Sequence, residues 1–131
     1  MPHVIVDYSA NVEDWIDMPA FCNALRLAAI ETGALPLAGV RVRAVRATHV
    51  SIADGDPQHG YIDISLRLRG GRDFDTRRAA TTHIFEAARS FLQPVLATRS
   101  LALSFEMRNI DPDLSPKTGT IRDHLKKADQ T

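Results

Sequence analysis

The sequence predicts an α/β (α+β) domain in which the pattern strand–helix–strand occurs twice in succession, giving one four-stranded sheet with two helices on one face. Three observations predict it. Four short segments alternate apolar and polar residues or run apolar as strands do. Two longer segments carry an apolar stripe of helical period behind a capping aspartate. A dense turn, ADGDPQHG, separates the two halves. The 131 residues are read as one domain, with residues 1–55 as the first unit, 56–110 as the second and 111–131 as a polar C-terminal tail.

The first strand is PHVIVDYS, where Pro2 occupies a strand's first residue and needs no ladder donor. Its run Val4, Ile5, Val6 suits burial on both faces. Asp17 then caps a helix with Met18 and Pro19 in its first turn; Phe21, Leu25 and Ala28 form its stripe, and Gly33 ends it. After the loop GALPLAG, the second strand sets Val40, Val42 and Ala44 against Arg41 and Arg43. The alternation breaks at Ala44-Val45, which predicts a bulge or a change of partner. YIDISLRL is the third strand, with Ile62, Ile64, Leu66 and Leu68 on one side, stopped by Gly70-Gly71. Asp73 caps the second helix, whose stripe is Ile84, Ala88, Leu92 and Val95, and Pro94 is expected to kink or end it near Gln93. LALSFEM is the fourth strand, with Leu101, Leu103, Phe105 and Met107 on one side. One or two helical turns are expected near Ile121–Lys127.

Two architectures satisfy this order. One is a ferredoxin-like split unit; the other is a pair of right-handed βαβ units whose two strands run parallel. Periodicity does not choose between them. Either one covers a single sheet face with helices and leaves the other bare, which is a reason to expect oligomers.

Composition narrows the function. Lys plus Arg equals Asp plus Glu at 16 each, so the net charge of zero disfavours a dedicated nucleic-acid or anionic-membrane binder. Cys22 is the only cysteine, which excludes an internal disulfide. No leader peptide and no membrane-length apolar run is read, so a cytoplasmic protein is expected. His3, His49, His59, His83 and His124 are scattered without metal-ligand spacing, and His83 with Glu86 is an ordinary helix-surface pair. Nucleophile elbows, phosphate loops and dinucleotide fingerprints are missing from the sequence, and a metal site is not expected.

The remaining candidates are Pro2, Arg41, Arg43 and Arg72. Removal of Met1 would leave Pro2 as a secondary amine held in place by strand pairing. Each arginine alone reads as a solvated or interface residue. Together they grip carboxylates and disfavour a nearby ammonium, and a base with anion clamps is what enol–keto isomerisation needs. Gly70-Gly71-Arg72 also precedes a helix whose N-terminus can receive an anion.

Four segments, PHVIVDYS, ALPLAGVRVR, GGRDFDTR and SLALSFEM, resemble in order and spacing the 5-carboxymethyl-2-hydroxymuconate isomerase family of the tautomerase superfamily. The resemblance runs from Pro2 to about Asp113 and is loose in the tail. It implies the second architecture and a homotrimer with sheets facing inward. It implies Pro2 as the catalytic general acid/base, Arg41 and Arg72 as substrate-binding residues, and no metal, flavin or nicotinamide. Arg43 matches a basic position without an assigned role. The implied substrate is a small carboxylate, the enol 5-carboxymethyl-2-hydroxymuconate with its three carboxylates, turned into the 2-oxo-3-ene tautomer in homoprotocatechuate degradation. A tautomerase for another unsaturated oxo acid and a non-enzymatic oligomeric binding module are the alternatives.

Overall fold

The computed structural model describes residues 2–126, so Met1 and the end of the tail from Lys127 onward lie outside the described residues. The elements are β1 (His3–Ser9), α1 (Met18–Glu31), β2 (Arg41–Ala47), β3 (Gly60–Arg69), α2 (Phe74–Thr98) and β4 (Leu101–Ile110). They form one mixed sheet in the order β2-β1-β3-β4. β1 pairs with β2 in parallel, β3 with β4 in parallel, and β1 with β3 antiparallel. Each helix therefore links two adjacent parallel strands, whereas a split unit would place another strand between them. The ferredoxin-like alternative is excluded.

Local chemistry explains the helix ends. The Asp17 carboxylate accepts from Ala20 N at 3.1 Å, with Pro19 in the first turn of α1. Gly33, at φ 68°, closes that helix in the left-handed conformation that glycine tolerates best. At the start of α2, Asp73 accepts from Thr76 N at 2.8 Å. The predicted stripes are the buried ones: Phe21, Leu25, Ile84 and Leu92 pack with Val4, Val6, Ile62 and Ile64 of the sheet, all at 0% exposure. Each such apolar side chain contributes about 1.5–3 kcal/mol.

Two expectations are corrected. α2 does not end near Gln93 but runs through Pro94 to Thr98. Pro94 sits on the exposed side, where the Ser90 carbonyl that loses its donor can turn to water. Beyond it, buried Val95 anchors the last turn, and Thr98 Oγ1 donates to the Pro94 carbonyl at 2.9 Å. In β2 the pairing with β1 runs unbroken from His3↔Arg41 to Ser9↔Ala47, without a bulge. The pattern breaks because Val45 lies half exposed on the open face, while Arg46 turns to the helix side at the sheet edge and pairs with Glu13 at 3.6 Å. Three short 3-10 turns complete the described chain: Ala10–Asp14, which buries Val12, Leu37–Gly39 just before β2, and Ile121–His124 in the expected place.

The face without helices is bare as expected, and it is polar. Strand alternation and register put His3, Asp7, Arg43, Asp63, Arg67 and Glu106 on it.

Candidate active site

The site is built at the end of the sheet where β1 and β2 begin and β3 and β4 finish. Pro2 is buried just ahead of β1, and its carbonyl accepts from Arg41 N at 3.2 Å. That bond continues the β1–β2 ladder by one residue and fixes the ring against the start of β2. The antiparallel pair His3↔Arg67 brings in the end of β3. Gly70 N, donating to the Ile110 carbonyl at 3.0 Å, draws in the end of β4.

Pro2 and Arg41 are thus brought together directly. Arg41 Nε donates to the Gly39 carbonyl at 3.3 Å, bending its half-buried side chain back along the loop that precedes β2. Arg72 is held differently. Its Nε donates to the Ala34 carbonyl at 3.1 Å and its Nη1 to the Arg69 carbonyl at 3.0 Å. It therefore clamps the loop leading to Arg41 onto the end of β3, and the rest of its planar fork stays open to a carboxylate. Arg43 Nη1 donates to His3 Nδ1 at 3.1 Å. A guanidinium only donates, so Nδ1 is the acceptor and the His3 proton resides on Nε2. Burial and then the charges of Arg67, Arg43 and Arg41 lower the His3 pKa below its ordinary 6.5, consistent with that neutral form.

Two cavities open here. One of about 260 Å³ is lined by His3, Arg67, Arg69, Ile110, Pro112 and Lys117 among others. The second, about 440 Å³, is lined by Gly39, Arg41, Lys117, Thr118 and Arg122 among others. Lys117 belongs to both, so the segment after β4 crosses this end of the sheet. His3, Arg67, Arg69 and Lys117 were not among the predicted site residues. Arg67 and Arg69 carried a signal, since they alternate out of the apolar stripe of β3. Lys117 carried none.

Among the described residues, Arg67, Arg69 and Lys117 form no ion pair, while Arg108, the register partner of Arg67, is paired with Glu106. Towards the opposite end, Asp7 accepts from Tyr61 Oη at 2.7 Å, and burial followed by Asp7 and Asp63 pushes the Tyr61 phenol up to about 12.

At that far end His59 Nδ1 lies 2.6 Å from Ser100 Oγ, and Nε2 lies 2.7 Å from Asp54 Oδ1. The chain resembles a nucleophile relay, but Asp54 is a turn residue whose Oδ1 also accepts from Asp56 N at 3.0 Å. Three side chains here tie the turn before β3 to the start of β4.

Residues 2–125 match the model of the family described as 5-carboxymethyl-2-hydroxymuconate isomerase. The chain belongs to this family. It is an isomerase of the tautomerase superfamily. The 5-carboxymethyl-2-hydroxymuconate Delta-isomerase of Escherichia coli is 31% identical over 121 residues, spanning 92% of this chain and 96% of that relative. A crystal structure of a 5-carboxymethyl-2-hydroxymuconate delta-isomerase superimposes with a TM-score of 0.89 at 30% identity, covering 97% of this chain and 94% of the other. A 5-carboxymethyl-2-hydroxymuconate isomerase from Deinococcus radiodurans R1 gives 0.87 at 22% identity, covering 96% and 95%. A fused 4-OT described as a symmetric trimer shares the fold, with a TM-score of 0.64 at 15% identity and coverage of 88% and 93%. The family match extends through the tail to residue 125, past the Asp113 at which the resemblance was expected to fade. The isomerase's cavity-lining Lys117 therefore lies within the family pattern.

Proposed function

We propose that the protein converts 5-carboxymethyl-2-hydroxymuconate into its 2-oxo-3-ene tautomer, with Pro2 as general acid/base once Met1 has been removed. The observation that carries this reading is a family match that begins at Pro2, the residue packed into the cationic end of the sheet. The neutral amine takes the proton of the 2-hydroxyl, giving a dienolate, and the resulting prolinium delivers a proton to carbon five. Both transfers stay within one substrate, so the reaction has no net redox change and no co-reactant.

The amine must be neutral to begin. Neighbouring cations disfavour the prolinium, and the charges that lower the His3 pKa act on the residue next to it. Arg41 and Arg72 hold substrate carboxylates and offset the charge that develops on the dienolate oxygen. Arg72 is suited to this because its clamp on Ala34 and Arg69 pre-sets the guanidinium. In this reading the enzyme works in homoprotocatechuate degradation as a homotrimer in the cytoplasm. The open polar sheet face and the trimeric fused 4-OT support the assembly. A single cysteine suits a reducing compartment. Among the described residues no helix is long and apolar enough to cross a membrane.

The test follows loss of the enol's ultraviolet absorbance with the native chain and with Pro2→Ala, after mass spectrometry has confirmed the mature N-terminus. The expected result is rapid loss with the native protein and a drop of at least about a hundredfold in the variant. Equal, solvent-like rates would refute the assignment.

A further inference from the structure

We propose that the cavity lined by His3, Arg67, Arg69 and Lys117 is a carboxylate subsite that makes the enzyme selective for tricarboxylate over dicarboxylate substrates. The inference rests on the isomerase reading above and goes beyond it. A tricarboxylate brings one carboxylate more than Arg41 and Arg72 can each engage in a fork. The structure supplies a second cationic set in the right place.

The first support is position. His3 directly follows Pro2, and Lys117 also lines the cavity that contains Arg41. A molecule anchored at Arg41 can therefore reach this cavity past a single shared lysine. The second is charge. Three cations line the cavity, no carboxylate does, and among the described residues none of the three is ion-paired. Like charges gathered without counter-charge repel one another, and a bound anion relieves that repulsion. The third is the wall. Ile110, Pro112 and Pro116 give the cavity an apolar side, which limits screening of a bound anion by water. The fourth is protonation. Because Arg43 occupies His3 Nδ1, the Nε2–H of this cavity-lining residue is a donor. At about 260 Å³ the space lies below the ~300 Å³ typical of whole drug-sized ligands and suits one arm of a substrate.

The experiment compares Lys117→Ala, Lys117→Gln and Arg67→Ala with the native enzyme, using Arg89→Ala on α2 as the control. Turnover of 5-carboxymethyl-2-hydroxymuconate is set against that of 2-hydroxymuconate, which lacks the carboxymethyl arm. Calorimetric binding of propane-1,2,3-tricarboxylate is set against that of glutarate. Each subsite variant should lower the tricarboxylate-to-dicarboxylate ratio about tenfold or more, in kcat/KM and in binding, while Arg89→Ala leaves both ratios unchanged. An active native enzyme whose ratios stay within twofold in all three variants, at unchanged circular dichroism, would overturn the subsite and leave the isomerase reading standing. If the native protein turns over neither substrate, the isomerase reading fails by itself. A tenfold fall in tricarboxylate binding would then still locate the carboxylate in this cavity, and unchanged binding would overturn the subsite as well.

Discussion

Substituting Gly60 by alanine tests whether the far end of the sheet only braces the fold. Gly60 is buried at the start of β3. An added Cβ would lie 2.8 and 2.9 Å from ring atoms Cζ3 and Cη2 of Trp15, and 3.0 Å from Asn11 Oδ1. Neither neighbour yields easily. The Arg99 guanidinium lies over the Trp15 ring at 5.6 Å. Asn11 donates to the His59 carbonyl at 2.9 Å and accepts from Ser9 Oγ at 2.7 Å, and Ser9 Oγ in turn accepts from Tyr61 N at 2.9 Å. Overpacking of this kind costs about 1–3 kcal/mol. The smaller backbone entropy of alanine offsets roughly 0.5–1 kcal/mol. The net loss is about 1–2 kcal/mol, which for a chain of this length lowers Tm by roughly 3–10 °C. Scanning calorimetry reads the shift, and kcat/KM at 25 °C should stay at the native value because Pro2 lies at the other end. An unchanged or raised Tm would refute the packing argument. A folded variant with impaired kcat/KM would refute the separation of brace from site.

Pro94→Ala should raise stability by about 1–2 kcal/mol, since an interior proline costs roughly 3 kcal/mol and part of the gain is lost to a freer unfolded chain; urea midpoints at constant slope check it. Arg72→Lys should lower kcat/KM about tenfold or more, because an ammonium cannot span two carbonyls and still present a fork to a carboxylate; steady-state kinetics read this. His3 has a folded pKa below its ordinary 6.5, so its contribution is fully present above pH 6.5 and is lost as the pH falls through the folded value. Native stability should therefore fall more steeply below pH 6.5 than that of His3→Gln, as urea titrations at several pH values would show.

Most of the fold was legible because its signals are local. Asp17, Gly33 and Asp73 mark helix ends through their own hydrogen bonds or backbone angles, and the stripes through Leu25 and Leu92 read directly as burial. Strand direction is not a local property, so the choice between the split unit and two parallel pairs awaited the register His3↔Arg41. Pro94 misled because helix propensity was weighed without the tertiary anchor that Val95 provides one residue later. The apparent bulge at Val45 misled for a related reason. A strand at the edge of the sheet leaves its last residues half solvated, where apolar and charged side chains both fit. Pro2 and Arg41 became candidates through the resemblance, and their adjacency came with the parallel pairing. The Arg72 clamp depends on two carbonyls distant in sequence, Ala34 and nearby Arg69, only one of which any local pattern could suggest.

Lys117 was illegible as a residue, yet topology dictates its place. Within each unit the two strands are parallel, so β1 and β2 begin at one end of the sheet, and β3 and β4 finish at a common end. The antiparallel pairing of β1 with β3 makes these the same end. The chain leaving Ile110 then emerges at the end of the sheet that holds Pro2, with β3 between the two. The described segment after β4 starts at this end, which is why its Lys117 lines both cavities. The same geometry explains how a chain of zero net charge can hold a strongly cationic pocket. Arg41 opens β2, Arg67 and Arg69 close β3 two strands away, and Lys117 follows β4, so four cations spread over 77 sequence positions (41 to 117, inclusive) converge at one end. Net charge describes what the whole surface attracts at long range. Affinity for a small anion depends on where strands start and stop.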